Sequence, residues 1–175
     1  MEQEINYHAI GYIRTPFEHV SEMPIQPCGA AGIEGIIELN PDYAAGLIDL
    51  DGFSHLILLY HFHQVKGYKL YVVPFMDDKP HGIFATRAPT RPNAIGISIV
   101  KLKRIESELI YFDGADMVDG TPLIDIKPFF PKYDNQHNVK FGWLEGKEDI
   151  DITKIKSDAR FKSDSCKGVN RCEKI

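Results

Sequence analysis

Cysteine is scarce in this chain of 175 residues: Cys28, Cys166 and Cys172 form an odd set with no Cys-x-x-Cys spacing. That excludes a disulfide-stapled scaffold and a zinc ribbon, and makes reduced thiols the expectation. Long apolar runs are missing too. The longest, Leu56 to Tyr60, is bounded by His55 and His61 and falls far short of the roughly 20 residues a bilayer helix needs, so no membrane association is expected. The opening Met1-Glu2-Gln3-Glu4 is acidic and polar, without the basic-then-apolar order of a secretory signal, and a cytoplasmic location is expected. There is no Gly-x-Gly-x-x-Gly, and Gly29-Ala30-Ala31-Gly32 is not followed by Gly-Lys-Ser/Thr. A phosphate-binding loop is therefore excluded, and a Rossmann domain is a poor fit.

Hydrophobic residues make up 43% and charged residues 26% of the chain, a composition that supports a packed globular core. The length suits one such core and a tail, read as a domain over residues 5–145 and a C-terminal extension over 146–175. The net charge of −5 opposes a nucleic-acid partner, but it is unevenly spread: residues 153–175 carry +4 and the preceding residues −9. A basic tail of this kind either holds a phosphate backbone or is simply a solvated terminus.

The dominant period is two, with β-branched and aromatic residues between Gly, Pro and Asp punctuation. The pattern predicts strands at Tyr7–Ile13, Gly35–Leu39, His55–His63, Tyr68–Val73, Ile95–Ile105, Leu109–Phe112 and Leu123–Ile126. Seven short strands predict a mainly β protein, a small barrel or sandwich. One short helix is expected over Pro41–Ala45, capped by Asn40 and covering one end, and Asp113-Gly114 and Asp119-Gly120 read as tight turns.

Four segments place polar groups where a plain barrel wants turn or core residues. Met23-Pro24-Ile25-Gln26-Pro27-Cys28-Gly29 is a loop stiffened by two prolines, suited to a ligand wall. In the second segment, strict alternation would set His55, His61 and His63 on one strand face. A His-x-His strand invites a metal, but the carboxylate that completes such sites is missing after His63-Gln64; rim hydrogen bonding for His55 and His61, and ligand contact for His63 and Gln64, are the better expectations. Third, Gly82 to Gly96 contains Arg87 and Arg91 among prolines. Their guanidinium forks are preset either for a carboxylate or phosphate or for tying loop carbonyls together. Fourth, Asp113, Asp116, Asp119 and Asp125 crowd one span at a spacing that fails an EF-hand.

Gly82-Ile83-Phe84-Ala85-Thr86-Arg87-Ala88-Pro89-Thr90-Arg91-Pro92-Asn93 resembles the signature of the TsaA-like family. Ile10 to Pro16, Gly52 to Leu56, and Asp116 to Pro128 match the same family in the same order, so the resemblance covers about Ile10 to Tyr133. It implies a single-sheet β-barrel that binds S-adenosylmethionine without a Rossmann fold, works as a homodimer and methylates N6 of threonylcarbamoyladenosine beside the tRNA anticodon. It also implies a cofactor pocket drawing on Gln26, Pro27, Cys28, His63, Gln64, Arg87, Ile97, Asp113, Gly114, Ala115 and Asp116. Cys28 stands where a glycine is common in the family, a change able to narrow the pocket.

The cofactor carries a sulfonium, an adenine and an amino-acid carboxylate. Arg87 is expected to take the carboxylate, backbone near Ala115 the adenine, and His63 or Gln64 the remaining polar groups. Asp119 is the expected proton acceptor. Bacterial tRNA-methylating members carry a further domain after the barrel, and only about forty residues follow it here. The alternatives are an S-adenosylmethionine-binding sensor or partner protein, a methyltransferase for another small or nucleotide substrate, and a metal enzyme using His61, His63 and His81.

Overall fold

The computed structural model describes residues 3–21, 23–147, 149–158 and 161. Six strands are β1 (Gly11–Arg14), β2 (Glu34–Leu39), β3 (His55–His61), β6 (Ile95–Glu106), β7 (Leu109–Asp113) and β8 (Thr121–Pro128). They close an antiparallel barrel in the order β1-β2-β7-β6-β3-β8. Between β3 and β6 the chain leaves the barrel for an excursion holding a two-stranded sheet, β4 (Tyr71–Val72) with β5 (His81–Gly82). The mainly β barrel is thus the observed fold.

The period of two explains the core. Ile13, Ile37, Leu56, Leu58, Ile110, Phe112 and Leu123 alternate inward and are sealed from solvent, each contributing about 1.5–3 kcal/mol of transfer free energy. Phe112 fits because Gly35 lies across from it: a Cβ there would stand 2.3 Å from the ring.

Several boundaries differ from the sequence pattern. The first strand begins at Gly11 rather than Tyr7, because pairing with both β2 and β8 starts there. The third ends at His61: the His63 amide donates to the His61 carbonyl at 2.8 Å, turning the chain off the barrel. His63 therefore leaves the face of His55 and His61. Tyr68–Val73 shrinks to the two residues of β4, with Lys69 bonded instead to Thr90 of the loop before β6. The expected short helix is a 3-10 turn over Pro41–Leu47, with the Asn40 carboxamide accepting from the Asp42 amide at 3.1 Å. Leu47 and Leu50 from this region pack on the barrel core.

The segment after the barrel returns to the excursion. Trp143 Nε1 donates to the Ala85 carbonyl at 2.7 Å and stacks on His81. Lys147 Nζ lies 2.5 Å from Asp77 Oδ2, which also meets His81 Nε2 at 3.0 Å. Lys147 first and His81 second hold the Asp77 carboxyl well below its ordinary range. Phe161 packs on Val72, Ile83 and Ala88, a small core separate from the barrel's own. Of the basic tail, residues 159–160 and 162–175 lie outside the described residues. Among the described residues no helix is long and apolar enough to cross a membrane.

Candidate functional site

At the end of β3 the barrel opens into a cavity of about 260 Å³. Its walls are largely apolar: Tyr60 and Phe62 from the end of β3, Val65 and Pro89 from the excursion, and Met117 and Val118 from the β7–β8 connection. Polar character comes from His63, Gln64, Asp116 and Thr121.

Asp116 is the unusual member, a carboxyl only 8% exposed. Ser98, an inward-facing residue of β6, donates its hydroxyl to Asp116 Oδ1 at 2.7 Å, and the Tyr60 hydroxyl lies 3.0 Å from the same Ser98 oxygen. Burial pushes the Asp116 carboxyl up to about 7, while the Ser98 bond and then the Arg87 charge pull it back. Burial, and then the Asp116 charge, raise the Tyr60 phenol far above its usual range. Tyr60 itself is seated against Gly96, where a Cβ would stand 2.2 Å from the ring.

Arg87 and Arg91 divide the two roles open to them. One Arg91 nitrogen donates to the carbonyls of Thr86 at 2.8 Å, Ile83 at 3.2 Å and Ala88 at 3.4 Å, binding the loop to itself. Arg87 donates to the Gln26 side-chain oxygen at 3.2 Å from an exposed position, and its charge acts on both Asp116 and Tyr60. Pro27 brings the 3-10 turn Pro27–Ala30 up to Gly114, whose φ of +95° suits glycine. Arg87 thus meets Gln26, and Pro27 meets Gly114, while Asp116, His63 and Gln64 are the expected residues that line the cavity itself. Burial, followed by the neighbouring His61, lowers the His63 pKa, and the Asp119 carboxylate opposes that shift.

The remaining expected residues are placed differently. The Gly114 and Ala115 amides both donate to the Ile33 carbonyl, at 3.0 and 3.1 Å, which ties this stretch to the segment before β2. Cys28 is exposed and is not among the cavity-lining residues. Ile97 and Asp113 alternate with the inward Ser98 and Phe112 and so stand on the barrel's outer wall. Asp119 takes the Thr15 amide on Oδ1 at 3.1 Å and places Oδ2 3.7 Å from Arg14. Among the described residues no three His, Cys, Asp or Glu side chains converge to hold a metal. Tyr60, Ser98 and Thr121 were missed by sequence reasoning. Ser98, a lone hydroxyl within Ile95-Gly96-Ile97-Ser98-Ile99-Val100, was the available signal.

A closed antiparallel barrel whose end holds an apolar cavity with a buried carboxyl in its wall has the form of a small-molecule binding fold. The particular family follows from comparison: residues 12–135 match the tRNA-methyltransferase O N-terminal domain, and the chain belongs to that family. A probable S-adenosyl-L-methionine-binding protein of Pyrococcus abyssi is 46% identical over 90% of this chain and 85% of its own length. The mouse tRNA (adenine(37)-N6)-methyltransferase is 36% identical over 74% of this chain and 32% of its own. The crystal structure of TrmO from Pseudomonas aeruginosa matches with a TM-score of 0.68 at 36% identity, covering 80% of this chain and 62% of that one. This chain thus spans most of the archaeal relative and about a third of the mouse one.

Proposed function

We propose that this chain binds S-adenosylmethionine in the cavity and transfers its methyl group to N6 of threonylcarbamoyladenosine beside the tRNA anticodon. The observation that carries the reading is a buried carboxyl, Asp116, in the wall of an apolar cavity, with the Arg87 guanidinium near enough for its charge to act on it. When bound, the cofactor supplies a methyl group already activated by its positive sulfur. Arg87 offers a fork for the amino-acid carboxylate, and Gln26 orients that fork. The apolar walls take the adenine and exclude water, with His63 and Gln64 as polar contacts at the margin. The cavity is slightly below the 300–1,000 Å³ usual for ligand pockets, so part of the cofactor lies beyond its mouth, toward Arg87. The site contributes chiefly by positioning, because an activated methyl group needs alignment more than acid assistance.

The same reading includes a homodimer and a cytoplasmic location. Support for the dimer is the outer face of β6, where Ile95, Ile97 and Ile99 are 38%, 47% and 44% exposed beside Ile57 and Leu59 of β3. In this arrangement Ile97 faces the second copy and belongs to that copy's cofactor site. Residues 153–175, with their net +4, provide the extra contact to tRNA phosphate.

The test is transfer of labelled methyl from S-adenosylmethionine to tRNA carrying threonylcarbamoyladenosine, with sedimentation to read the oligomer. Transfer to N6 by a dimer is expected, and neither transfer nor binding would overturn the proposal. A second reading, binding without turnover, is favoured by the Pyrococcus relative, described only by what it binds and spanned by this chain over 85% of its length. It predicts calorimetric binding with no methylated nucleoside.

A further inference from the structure

The transfer needs somewhere to put a proton, because a nitrogen that gains a methyl group must lose its hydrogen to stay neutral. Asp119 is occupied: its carboxylate joins the Thr15 amide and Arg14, and its amide donates to the Phe17 carbonyl at 2.7 Å. These contacts fasten the end of β1 to the turn before β8. Asp116 differs in every respect. It lines the cavity, is nearly sealed from bulk water, and is held by the Ser98 hydroxyl from β6, which in turn meets the Tyr60 hydroxyl from β3.

We propose that Asp116, oriented by Ser98 and Tyr60, accepts the proton from the methyl-acceptor nitrogen. The inference rests on the methyltransferase reading above. The nitrogen lone pair forms the new bond to carbon as the carbon–sulfur bond breaks, with its electron pair leaving on sulfur. The N–H bond breaks with its electrons returning to nitrogen, and the proton passes to the carboxylate, leaving a neutral Asp116. That proton goes to solvent through the cavity mouth when the products depart. Ser98 is a positioning residue: its donated bond favours the charged carboxylate between turnovers. The other charged or titratable groups around Asp116 are Arg87 from the excursion, Tyr60 and His63 at the end of β3, and Asp119 beyond His63. Arg87 also favours the charged form, and Tyr60 stays neutral throughout the working range.

The experiment compares the full-length chain with Asp116→Asn and Ser98→Ala. Single-turnover transfer is followed against pH on tRNA carrying threonylcarbamoyladenosine, cofactor affinity by calorimetry, and the aspartate carboxyl carbons by NMR in the unliganded protein. The wild-type rate should rise through one ionisation near neutral pH, matched by one carboxyl titrating there. Asp116→Asn should abolish both signals and cost about 100-fold or more in rate at saturating cofactor. Ser98→Ala should lower the rate less than Asp116→Asn does, while moving both the rate limb and the carboxyl titration to higher pH. A near-normal rate in Asp116→Asn, a loss of cofactor binding that accounts for its rate loss, or a Ser98→Ala carboxyl shift without a matching rate shift would overturn the assignment alone. No transfer by the wild-type chain would overturn the methyltransferase reading and this assignment with it.

Discussion

Strand β3 passes through two different environments within seven residues. Leu56 and Leu58 are sealed in the barrel, whereas Tyr60, the next inward residue, borders a cavity. On β6 the same change separates Val100, packed in the barrel core, from Ser98, bonded to Asp116. The barrel's middle is filled by interlocking apolar side chains, while its open end uses the same backbone to aim polar groups at empty space. The difference teaches that the site inherits its rigidity from the core below it. Its chemistry comes from loops returning over the opening.

Removing Phe112 is the most damaging way to break this contrast. Phe112→Ala leaves a void opposite Gly35 and should cost about 3–5 kcal/mol in urea unfolding. At the open end, Asp116 should give stability a pH slope. Its folded carboxyl binds its proton more tightly than the ordinary group at 3.8, with the midpoint pushed up to about 7. Burial is therefore harmless below the ordinary value and becomes fully unfavourable above the raised one, so stability falls as pH rises between them. Asp116→Asn should flatten that slope, with a gain at high pH of at most about 4 kcal/mol relative to low pH, read from urea midpoints. Gly96→Ala strikes where the two regions meet, driving a methyl into Tyr60; a loss of about 1–3 kcal/mol and weaker cofactor binding are expected. The smallest effect is expected for Asp77→Asn, which loosens the contact of Lys147 and His81 far from the barrel core. Its unfolding midpoint should stay near that of the parent chain while limited proteolysis within residues 74–85 quickens.

Alternation and turn residues made most barrel strands legible, because a half-buried strand must obey the period of two. They were weaker in the excursion, where β4 and β5 are two residues each and nonlocal contacts with Thr90, Trp143 and Phe161 decide the path. Hydropathy also misleads on β6: Ile95, Ile97 and Ile99 face outward, while Gly96 and Ser98 face the interior. Tyr60 requires the glycine and Asp116 engages the serine, needs that only the folded barrel reveals. The prolines around Arg87 and Arg91 marked a stiffened loop, but two arginines in one motif gave no sign of which would be spent on Thr86, Ile83 and Ala88. The histidines misled for a related reason, since one hydrogen bond after His61 removes His63 from the strand's alternation.

Calorimetric titration of the full-length chain with S-adenosylmethionine, alongside Arg87→Ala, tests the central claim most directly. Saturable binding at one site per chain, weakened about tenfold or more by the substitution through loss of a charge-assisted bond, is the predicted result. Absence of binding by the parent chain, or equal binding by the two proteins, would contradict the account.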